Sequence, residues 1–279
     1  MYKNRVRYKN PGLLIIMVDQ TEVMNEILPK DNRSMAEVVS GGLNKLITEL
    51  IMRQTIVYDN GDELIRKILF LTIIGYANGE AYFICDDWID RIANSYPIKQ
   101  TDFSDNEGRK YVLDVISVLE PKADGFSGMD LAFTGANEFL QYWFKSRYND
   151  IDEVPPMIIN ITSGVCMGDT DKLRKCAKEI IGLQFPDGSP ILINIHMSSE
   201  INNLPDSSFQ SSDDKSNVLL SISSVIDEDI RNRLPRASTK SLFNLNGGEK
   251  KERFLFLNVL SSNELYKICD LITEYFSRI

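Results

Sequence analysis

The chain has 279 residues, of which 43% are hydrophobic, so it is long enough to bury a substantial core. Its formal net charge of -9 argues against binding to nucleic acid or to an anionic membrane surface, because both need clustered Lys and Arg. The apolar run behind the basic N-terminus, residues 13–18, is too short for the core of a signal peptide, and no apolar run is long enough to span a membrane. Four cysteines without CxxC spacing indicate a cytoplasmic protein with free thiols, rather than a disulfide framework or a zinc site.

The first half of the chain predicts a strand, a helix and a hairpin. Residues 13–18, LLIIMV, are a continuous apolar run typical of a strand buried on both faces. Residues 35–53 carry apolar side chains at helical spacing, and Gly41-Gly42 within them allow close packing against a neighbour. A second buried strand is predicted at 67–77. Asn78-Gly79 then favours a tight turn into an antiparallel strand at 80–85.

The middle of the chain predicts a long helix after a glycine-bearing loop. Residues 86–96 favour either a short helix or a structured loop, and residues 104–108 form a polar insertion. Residues 111–119 have a half-apolar, extended pattern. The loop 124–128, DGFSG, leads into a helix expected from Met129 to about Arg147.

The second half predicts two further strand and helix units and a closing helix. Apolar runs indicate strands at 157–161 and 190–195, with a helix at 169–183 between them that Asp169 or Thr170 caps. Residues 200–217 are rich in Ser, Asp and Asn, which predicts a mobile loop. The remaining elements are one or two helices within 218–236, a last strand within 250–258 and an amphipathic helix at 261–279.

Strands that alternate with helices predict a doubly wound α/β fold. We expect a mostly parallel sheet with one antiparallel edge strand and helices on both faces, in a single domain over residues 1–279. Residues 1–10 would be an N-terminal extension, and residues 218–279 would supply helices and the last strand of the same domain. In such sheets ligands bind beyond the carboxyl ends of the strands, so Asp19 is the first candidate site residue.

Three strand-end segments, 19–24, 124–129 and 161–164, resemble the ion-site loops of von Willebrand factor type A (VWA) domains. In that family the first loop usually reads D-x-S-x-S, the second supplies a threonine before a helix, and the third supplies an aspartate followed by glycine. Asp19 and Thr21 match the first acid and hydroxyl, and Ser127 replaces the threonine. Val23 stands at the second hydroxyl position, and Ser163 stands at the aspartate position.

The resemblance implies a degenerate ion site made of Asp19, Thr21 and Ser127. Mg²⁺ needs hard oxygen ligands and usually one or two carboxylates, so the losses at Val23 and Ser163 predict weak binding of Mg²⁺ or Mn²⁺, or none. Asp130 or Asp169 could supply the missing charge if well placed. No other cofactor is expected.

Longer segments resemble a bacterial branch of standalone cytoplasmic VWA proteins similar to those of tellurite-resistance-type operons. They read PPMIINITSGVCMGDTDKLRKCAKEI, ILINIHMSS, LPDS and LLSISSVIDEDIRNRL. That resemblance implies a protein partner, such as a Ser/Thr protein kinase or a metal-dependent protein phosphatase, in phosphorylation signalling or stress resistance.

The sequence therefore predicts an intracellular interaction or adaptor module that is not an enzyme. Its partner surface would be the carboxyl edge of the sheet, with seven contributing residues. They are Asp19, Gln20, Thr21, Ser127, Gly128, Ser163 and Asp169. Two alternatives remain: a metal-dependent hydrolase that uses Asp19, Asp169 and His196, the only histidine, and an inert structural subunit of a larger complex.

Overall fold

A computed structural model of the chain describes residues 6–7, 9–104, 109–146, 154–164, 166, 168–199, 214–235, 242 and 255–277. The strands in chain order are β1 (Gly12–Asp19), β2 (Thr55–Val57), β3 (Glu63–Ile65), β4 (Leu69–Ala77), β5 (Glu80–Trp88), β6 (Ile98–Ser104), β7 (Lys110–Ile116), β8 (Met157–Thr162), β9 (Ile191–Met197) and β10 (Phe256–Val259). The helices are α1 (Met35–Gln54), α2 (Ile89–Ser95), α3 (Met129–Ser146), α4 (Thr170–Gly182), α5 (Asp214–Ser221), α6 (Glu228–Arg233) and α7 (Ser262–Ser277).

A six-stranded sheet in the order β10-β9-β8-β1-β4-β5 organises the fold. All neighbouring strands are parallel except β4 and β5, which form the expected antiparallel edge pair. The chain builds one half of the sheet outward from β1 and then returns to build the other half outward from β8. This is the doubly wound order, and it leaves a crevice between the carboxyl ends of β1 and β8.

The two faces of β1 enter two separate cores, which confirms that helices cover both sides of the sheet. All residues of β1 are buried. Leu14 and Ile16 lie in a core with residues of α1 and α7, whereas Leu13 and Ile15 lie in a core with residues of α3 and α4. Burial on both faces explains why the strand reads as a continuous apolar run rather than an alternating one.

Helix α1 begins where the sequence predicts, because Ser34 and Glu37 form a reciprocal capping box at its start. The expected close packing at the glycine pair holds for Gly42, where a Cβ would lie 2.9 Å from Leu265 of α7. A Cβ at Gly41 would meet no atom of the described residues within 4 Å. Only one of the two glycines is therefore required by packing.

Two hairpins were not predicted. β2 pairs with β3, and β6 pairs with β7, each as a two-stranded antiparallel sheet outside the central one. β2 and β3 have only three residues each, and β6 reads IKQTDFS, so neither carries a strong apolar signal. The extended pattern expected over 111–119 corresponds to β7. Of the polar insertion at 104–108, Ser104 ends β6 and the rest lies outside the described residues.

Several boundaries differ from the prediction by a few residues. β5 continues to Trp88, so the short helix expected within 86–96 begins only at Ile89. α5 begins at Asp214, inside the loop expected over 200–217, and residues 200–213 lie outside the described part. The region 218–236 contains the rest of α5 and α6, which agrees with the expected one or two helices. No helix among the described residues is long and apolar enough to cross a membrane.

Replacing Asn44 of α1 tests whether its side chain stabilises the loop that contains Val118 and Leu119. Its side chain is 7% exposed, accepts hydrogen bonds from the backbone N–H groups of Val118 and Leu119, and donates one to the carbonyl of Leu119. We expect Asn44→Ala to lower the free energy of unfolding by about 3 kcal/mol, because buried backbone groups lose their partners. Urea unfolding measures this loss.

The matched control is Asn94→Ala, whose exposed side chain makes one hydrogen bond to the carbonyl of Asp90. It should cost less than about 0.5 kcal/mol. Equal losses in the two variants would show that the Asn44 contacts do not stabilise the loop.

Candidate functional site

The carboxylate of Asp19 joins the two loops that flank the crevice. Asp19 ends β1 and is 1% exposed. Its Oδ2 atom accepts hydrogen bonds from Thr162 Oγ1 at 3.1 Å, from the Ser163 backbone N at 2.9 Å and from Ser163 Oγ at 2.7 Å. Its Oδ1 atom accepts one from the Thr21 backbone N at 2.9 Å. The structure thus brings Asp19, Thr21 and Ser163 together.

Backbone hydrogen bonds fasten the glycine-bearing loop to the loop after β1. The Asp124 N–H donates to the Gln20 carbonyl at 2.8 Å, and the Glu22 N–H donates to the Gly125 carbonyl at 2.9 Å. Gly125 has a φ of +65°, and a Cβ there would lie 1.6 Å from the side chain of Asn78. Glycine is therefore required at this position for both its backbone angle and its space.

Ser127 and Gly128 shape the start of α3. Ser127 is 3% exposed, and its Oγ accepts a hydrogen bond from the Met129 N–H at 3.3 Å. A Cβ at Gly128 would lie 2.6 Å from the backbone oxygen of Glu80, so only glycine allows β5 to approach so closely. Ser127 therefore serves the start of α3, whereas Gly128 serves the contact between this loop and β5.

Gln20 turns toward the β4–β5 edge. It is 4% exposed, its N–H donates to the Tyr76 carbonyl at 3.0 Å, and its side-chain oxygen accepts a hydrogen bond from the Tyr82 hydroxyl. Lys122 donates to the same hydroxyl at 2.7 Å, and its Nζ lies 4.7 Å from the centroid of the Tyr82 ring. Sequence reasoning had no signal for the Tyr82 contact, because the partner comes from another strand.

Most of the predicted partner-binding residues lie below the surface. Only Asp169 among the seven is exposed. The six buried ones are Asp19, Gln20, Thr21, Ser127, Gly128 and Ser163. Their burial indicates that they hold the loops of the carboxyl edge in place, while exposed neighbours present the outer surface.

Asp169 caps the start of α4, where the sequence predicts either Asp169 or Thr170 as the cap. Its Oδ1 atom accepts hydrogen bonds from the N–H groups of Asp171 and Lys172, both at 3.0 Å. A carboxylate at this position satisfies free N–H groups and complements the helix dipole.

His196 connects the loop after β8 to the neighbouring strands β9 and β10. Its Nδ1 lies 2.8 Å from Asn258 Oδ1, and its Nε2 lies 3.2 Å from the Ser163 carbonyl oxygen. The imidazole is 8% exposed and nearly parallel to the ring of Phe256. No hydrogen bond connects His196, Asp19 and Asp169 to one another in the described part of the chain. Each of the three residues of the hydrolase alternative instead has a structural partner.

The donor set fits a divalent ion poorly. One observation favours an ion, since Thr21 Oγ1 is buried without a hydrogen-bond partner among the described residues. Against it, Asp19 Oδ2 already accepts three hydrogen bonds, one of them from the Ser163 hydroxyl that replaces a carboxylate. The described residues contain no cluster of three Asp, Glu, His or Cys side chains that could hold a metal. Asp19 supplies one carboxylate, the lower limit of the one or two that Mg²⁺ sites usually use.

A buried polar network below the site was missed by sequence reasoning. The Tyr76 hydroxyl donates to Asn160 Oδ1 at 3.2 Å, Asn160 donates to Asn194 Oδ1 at 2.9 Å, and Asn194 donates to Ser223 Oγ at 2.9 Å. Burial raises the pKa of Tyr76 well above its ordinary value, and the charge of Asp19 adds to the shift. The available signal was an asparagine inside each of the apolar strands MIINIT and ILINIHM, since these two residues are direct neighbours across β8 and β9.

All four cysteines are free thiols, as expected, and three of them are buried. Burial raises the pKa of Cys85 to about 11 and that of Cys269 to about 12. Cys166, in the loop after Ser163, is half-buried, and burial raises its pKa as well, against an opposing hydrogen bond from the Gly168 backbone. A thiol with a raised pKa is a weak nucleophile at neutral pH.

Comparisons with known proteins support the fold. No family model matches the chain, and no curated protein matches it. A pilus adhesin, SpaC from Lactobacillus rhamnosus GG, superposes with a TM-score of 0.52 at 10% identity over 99% of this chain and 32% of the adhesin chain. The SpRpn10 VWA domain gives a TM-score of 0.47 at 10% identity over 94% of both chains. The human COPII-coat protein Sec24c gives 0.35 at 8% identity over 76% of this chain and 28% of that one.

The sheet order, the antiparallel edge pair and the helices on both faces, together with the superposition on the adhesin, establish the class of the chain. It has an α/β Rossmann-like fold. The chain spans about a third of the adhesin that it resembles. At identities near 10%, the likeness concerns the fold and not the activity.

Thiol labelling tests the state of the cysteines. We expect the folded protein to react with a chromogenic disulfide reagent at one thiol, Cys166, and slowly, because a raised pKa leaves little thiolate at neutral pH. The rate should rise as the pH increases toward that pKa, and Cys166→Ser should remove the reaction. Rapid labelling of Cys166 near pH 7 would instead indicate an activated thiol.

Replacement of Ser163 tests the metal site. Ser163 Oγ lies 2.7 Å from Asp19 Oδ2, so Ser163→Asp would set two carboxylates against each other and lower the melting temperature of the metal-free protein. Mg²⁺ should restore the melting temperature of that variant, because an ion that binds only the folded state stabilises it. The wild type and the uncharged control Ser163→Asn should show no saturable Mg²⁺ binding below about 1 mM in calorimetric titration. Saturable wild-type binding that Asp19→Ala abolishes would overturn this prediction.

Proposed function

We propose that the chain is a VWA-type protein-interaction module that binds a partner at the carboxyl edge of its sheet, without catalysing a reaction and without requiring a metal ion. The observation that carries the proposal is the set of four hydrogen bonds to the Asp19 carboxylate. An acid that accepts bonds from both flanking loops is suited to hold a surface in shape. It is poorly placed to ionise a nucleophile or to take up a proton.

Phe126 is the exposed group that this framework presents. Its side chain is 54% exposed, although it lies in the same loop as the buried Ser127. The Gly79 N–H donates to the Phe126 carbonyl at 3.3 Å, and the ring lies against Gly79, where a Cβ would come within 2.7 Å of it. An aromatic side chain held on a fixed loop loses little freedom on binding, and such residues often contribute most of the energy of an interface.

The hydrolase alternative receives less support from the geometry. Asp19, Asp169 and His196 are each hydrogen-bonded to groups that position loops or helices. A hydrolytic site needs a nucleophile within reach of a base, or a metal-bound water. An inert structural subunit would use the same interaction surface. It would differ from an adaptor only in that binding would have no signalling effect.

The finer part of the proposal rests on the sequence resemblance. We propose a cytoplasmic adaptor of the bacterial tellurite-resistance-type branch, with a Ser/Thr protein kinase or a metal-dependent protein phosphatase as its partner. The four free cysteines fit a reducing compartment. Phosphorylation signalling or stress resistance would then be the setting in which the module acts.

Quantitative capture from the native host tests the surface. We expect Phe126→Ala to reduce recovery of the specific partner at least about tenfold, because an anchor residue at an interface contributes more than about 1.4 kcal/mol. Chelation of divalent ions should leave recovery unchanged. Mass spectrometry of the captured proteins then shows whether a kinase or a phosphatase is among them.

The control is Met52→Ala. Met52 is 68% exposed near the end of α1. Because α1 leads the chain from β1 back toward the start of the parallel strand β4, Met52 lies toward the amino ends of the strands. It should leave recovery unchanged. Equal recovery with Phe126→Ala and the wild type, or loss of the partner on chelation, would contradict the proposed surface.

A further inference from the structure

A groove between β5 and α3 lies beside the proposed partner surface. Its space is about 370 Å³, and its lining includes Ala81 and Phe83 of β5 together with Leu131 and Gly135 of α3. In the described part of the chain, no strand pairs with the outer side of β5. The groove therefore combines an open sheet edge with one face of a helix.

Two features keep the groove open and apolar. Apart from its chain neighbours and the nearby backbone of α3 itself, no described atom lies within 4 Å of the position that a Cβ would take at Gly135, so the missing side chain leaves space above the helix. Phe83 is 53% exposed, and its ring centroid lies 6.2 Å from that of Phe139, which fixes one wall. An exposed aromatic wall above open space is typical of a place where a partner side chain inserts.

The rim of the groove is acidic. Glu80 and Glu138 line it, both are exposed, and neither carboxylate has an ion-pair or hydrogen-bond partner among the residues that the structure describes. Among those same residues, no Lys or Arg lines the groove. Lys122 is close by, but its ammonium group contacts Tyr82 through the hydroxyl and the ring.

The negative charge of the rim favours binding of a positively charged segment. Two free carboxylates beside an apolar lining attract a segment that carries Lys or Arg next to an apolar side chain. A second copy of this chain is disfavoured, because the molecule carries a net charge of -9 and its acidic rim would meet an acidic surface.

We propose that this groove holds a basic, apolar peptide segment of the partner, with an apolar side chain above Gly135 and Lys or Arg side chains at Glu80 and Glu138. The inference rests on the proposed function, because the groove adjoins the Phe126 surface through Glu80, whose backbone contacts Gly128. Glu80 and Glu138 would make the groove prefer basic peptides, and the missing side chain at Gly135 would leave space for the apolar side chain of the peptide.

Fluorescence anisotropy on the full chain tests the occupant. The probes are three labelled synthetic nonapeptides with the same central Leu-Val-Leu and flanks of Lys and Arg, of Gln, or of Glu. We expect the basic peptide to bind at least about tenfold more tightly than the neutral one at low salt, since two charge pairs are gained, and the preference should shrink at high salt. Absence of this preference, or tighter binding of the acidic peptide, would overturn the proposal.

Variants then locate the binding. Glu80→Gln with Glu138→Gln should abolish the preference for the basic peptide, and Gly135→Leu should abolish binding of the basic and neutral peptides alike. Gly135→Leu should fold, because its Cβ meets no described atom and Leu favours a helix more than Gly does, and thermal unfolding checks this. The matched control is Gly41→Leu on α1, which also has open space and should bind like the wild type. Peptide binding that survives Gly135→Leu would place the site elsewhere and overturn the proposal.

Two further outcomes separate this inference from the proposed function. If the native partner is lost with Phe126→Ala but retained with Gly135→Leu, the groove proposal fails and the proposed function stands. If the basic peptide requires Gly135 while Phe126→Ala retains the partner, the proposed surface fails and the groove stands. Self-association that Gly135→Leu abolishes would identify a second copy as the occupant and overturn the basic-peptide proposal.

Discussion

The fold and its carboxyl edge depend on how one buried acid is satisfied. Asp19 ends the central strand at 1% exposure, where an unpaired carboxylate would be strongly unfavourable. Its four hydrogen bonds come from Thr21, Thr162 and Ser163, and so from the ends of both strands at the crevice. Because the doubly wound order separates these two loops, their contact through one side chain fixes the geometry of the edge. His196 extends this constraint to β9 through the Ser163 carbonyl.

The hydroxyl at position 163 supplies one of the hydrogen bonds that satisfy Asp19 within the protein. An aspartate there would place a second negative charge beside Asp19 and would need a cation to offset it. Ser163 donates a hydrogen bond instead, so the carboxylate is satisfied by the protein itself. Val23 further reduces the number of possible metal ligands, since it supplies no side-chain oxygen. On the proposed metal-free interpretation, Ser163 would remove the need for an ion and Val23 would leave one ligand fewer.

The sequence predicts those features that depend on neighbours along the chain. The apolar runs of β1, β8 and β9, the helical spacing of α1 and the hairpin turn at Asn78-Gly79 were all readable, because each depends on local spacing. The hairpins β2–β3 and β6–β7 were not, because they lie outside the main sheet and bury little apolar surface. The side chain of Gln20 is buried against Tyr82, and the β5–α3 groove exists because Gly135 has no side chain. Both features depend on residues that are distant in the sequence, so no local pattern predicts them.

A surface held by internal hydrogen bonds constrains the way in which it can bind. The loops around Asp19 have already formed their contacts, so a partner need not order them, and the entropic cost of association falls mainly on the partner. Phe126 and the acidic rim of the groove are supported by this rigid base but lie outside it. Recognition would therefore depend on shape at Phe126 and on charge at Glu80 and Glu138, rather than on a metal shared between two proteins. A conformational switch at this edge would have to break the hydrogen bonds to the Asp19 carboxylate. Because losing several buried hydrogen bonds to a charged group is costly, the rigid conformation is favoured over a switched one.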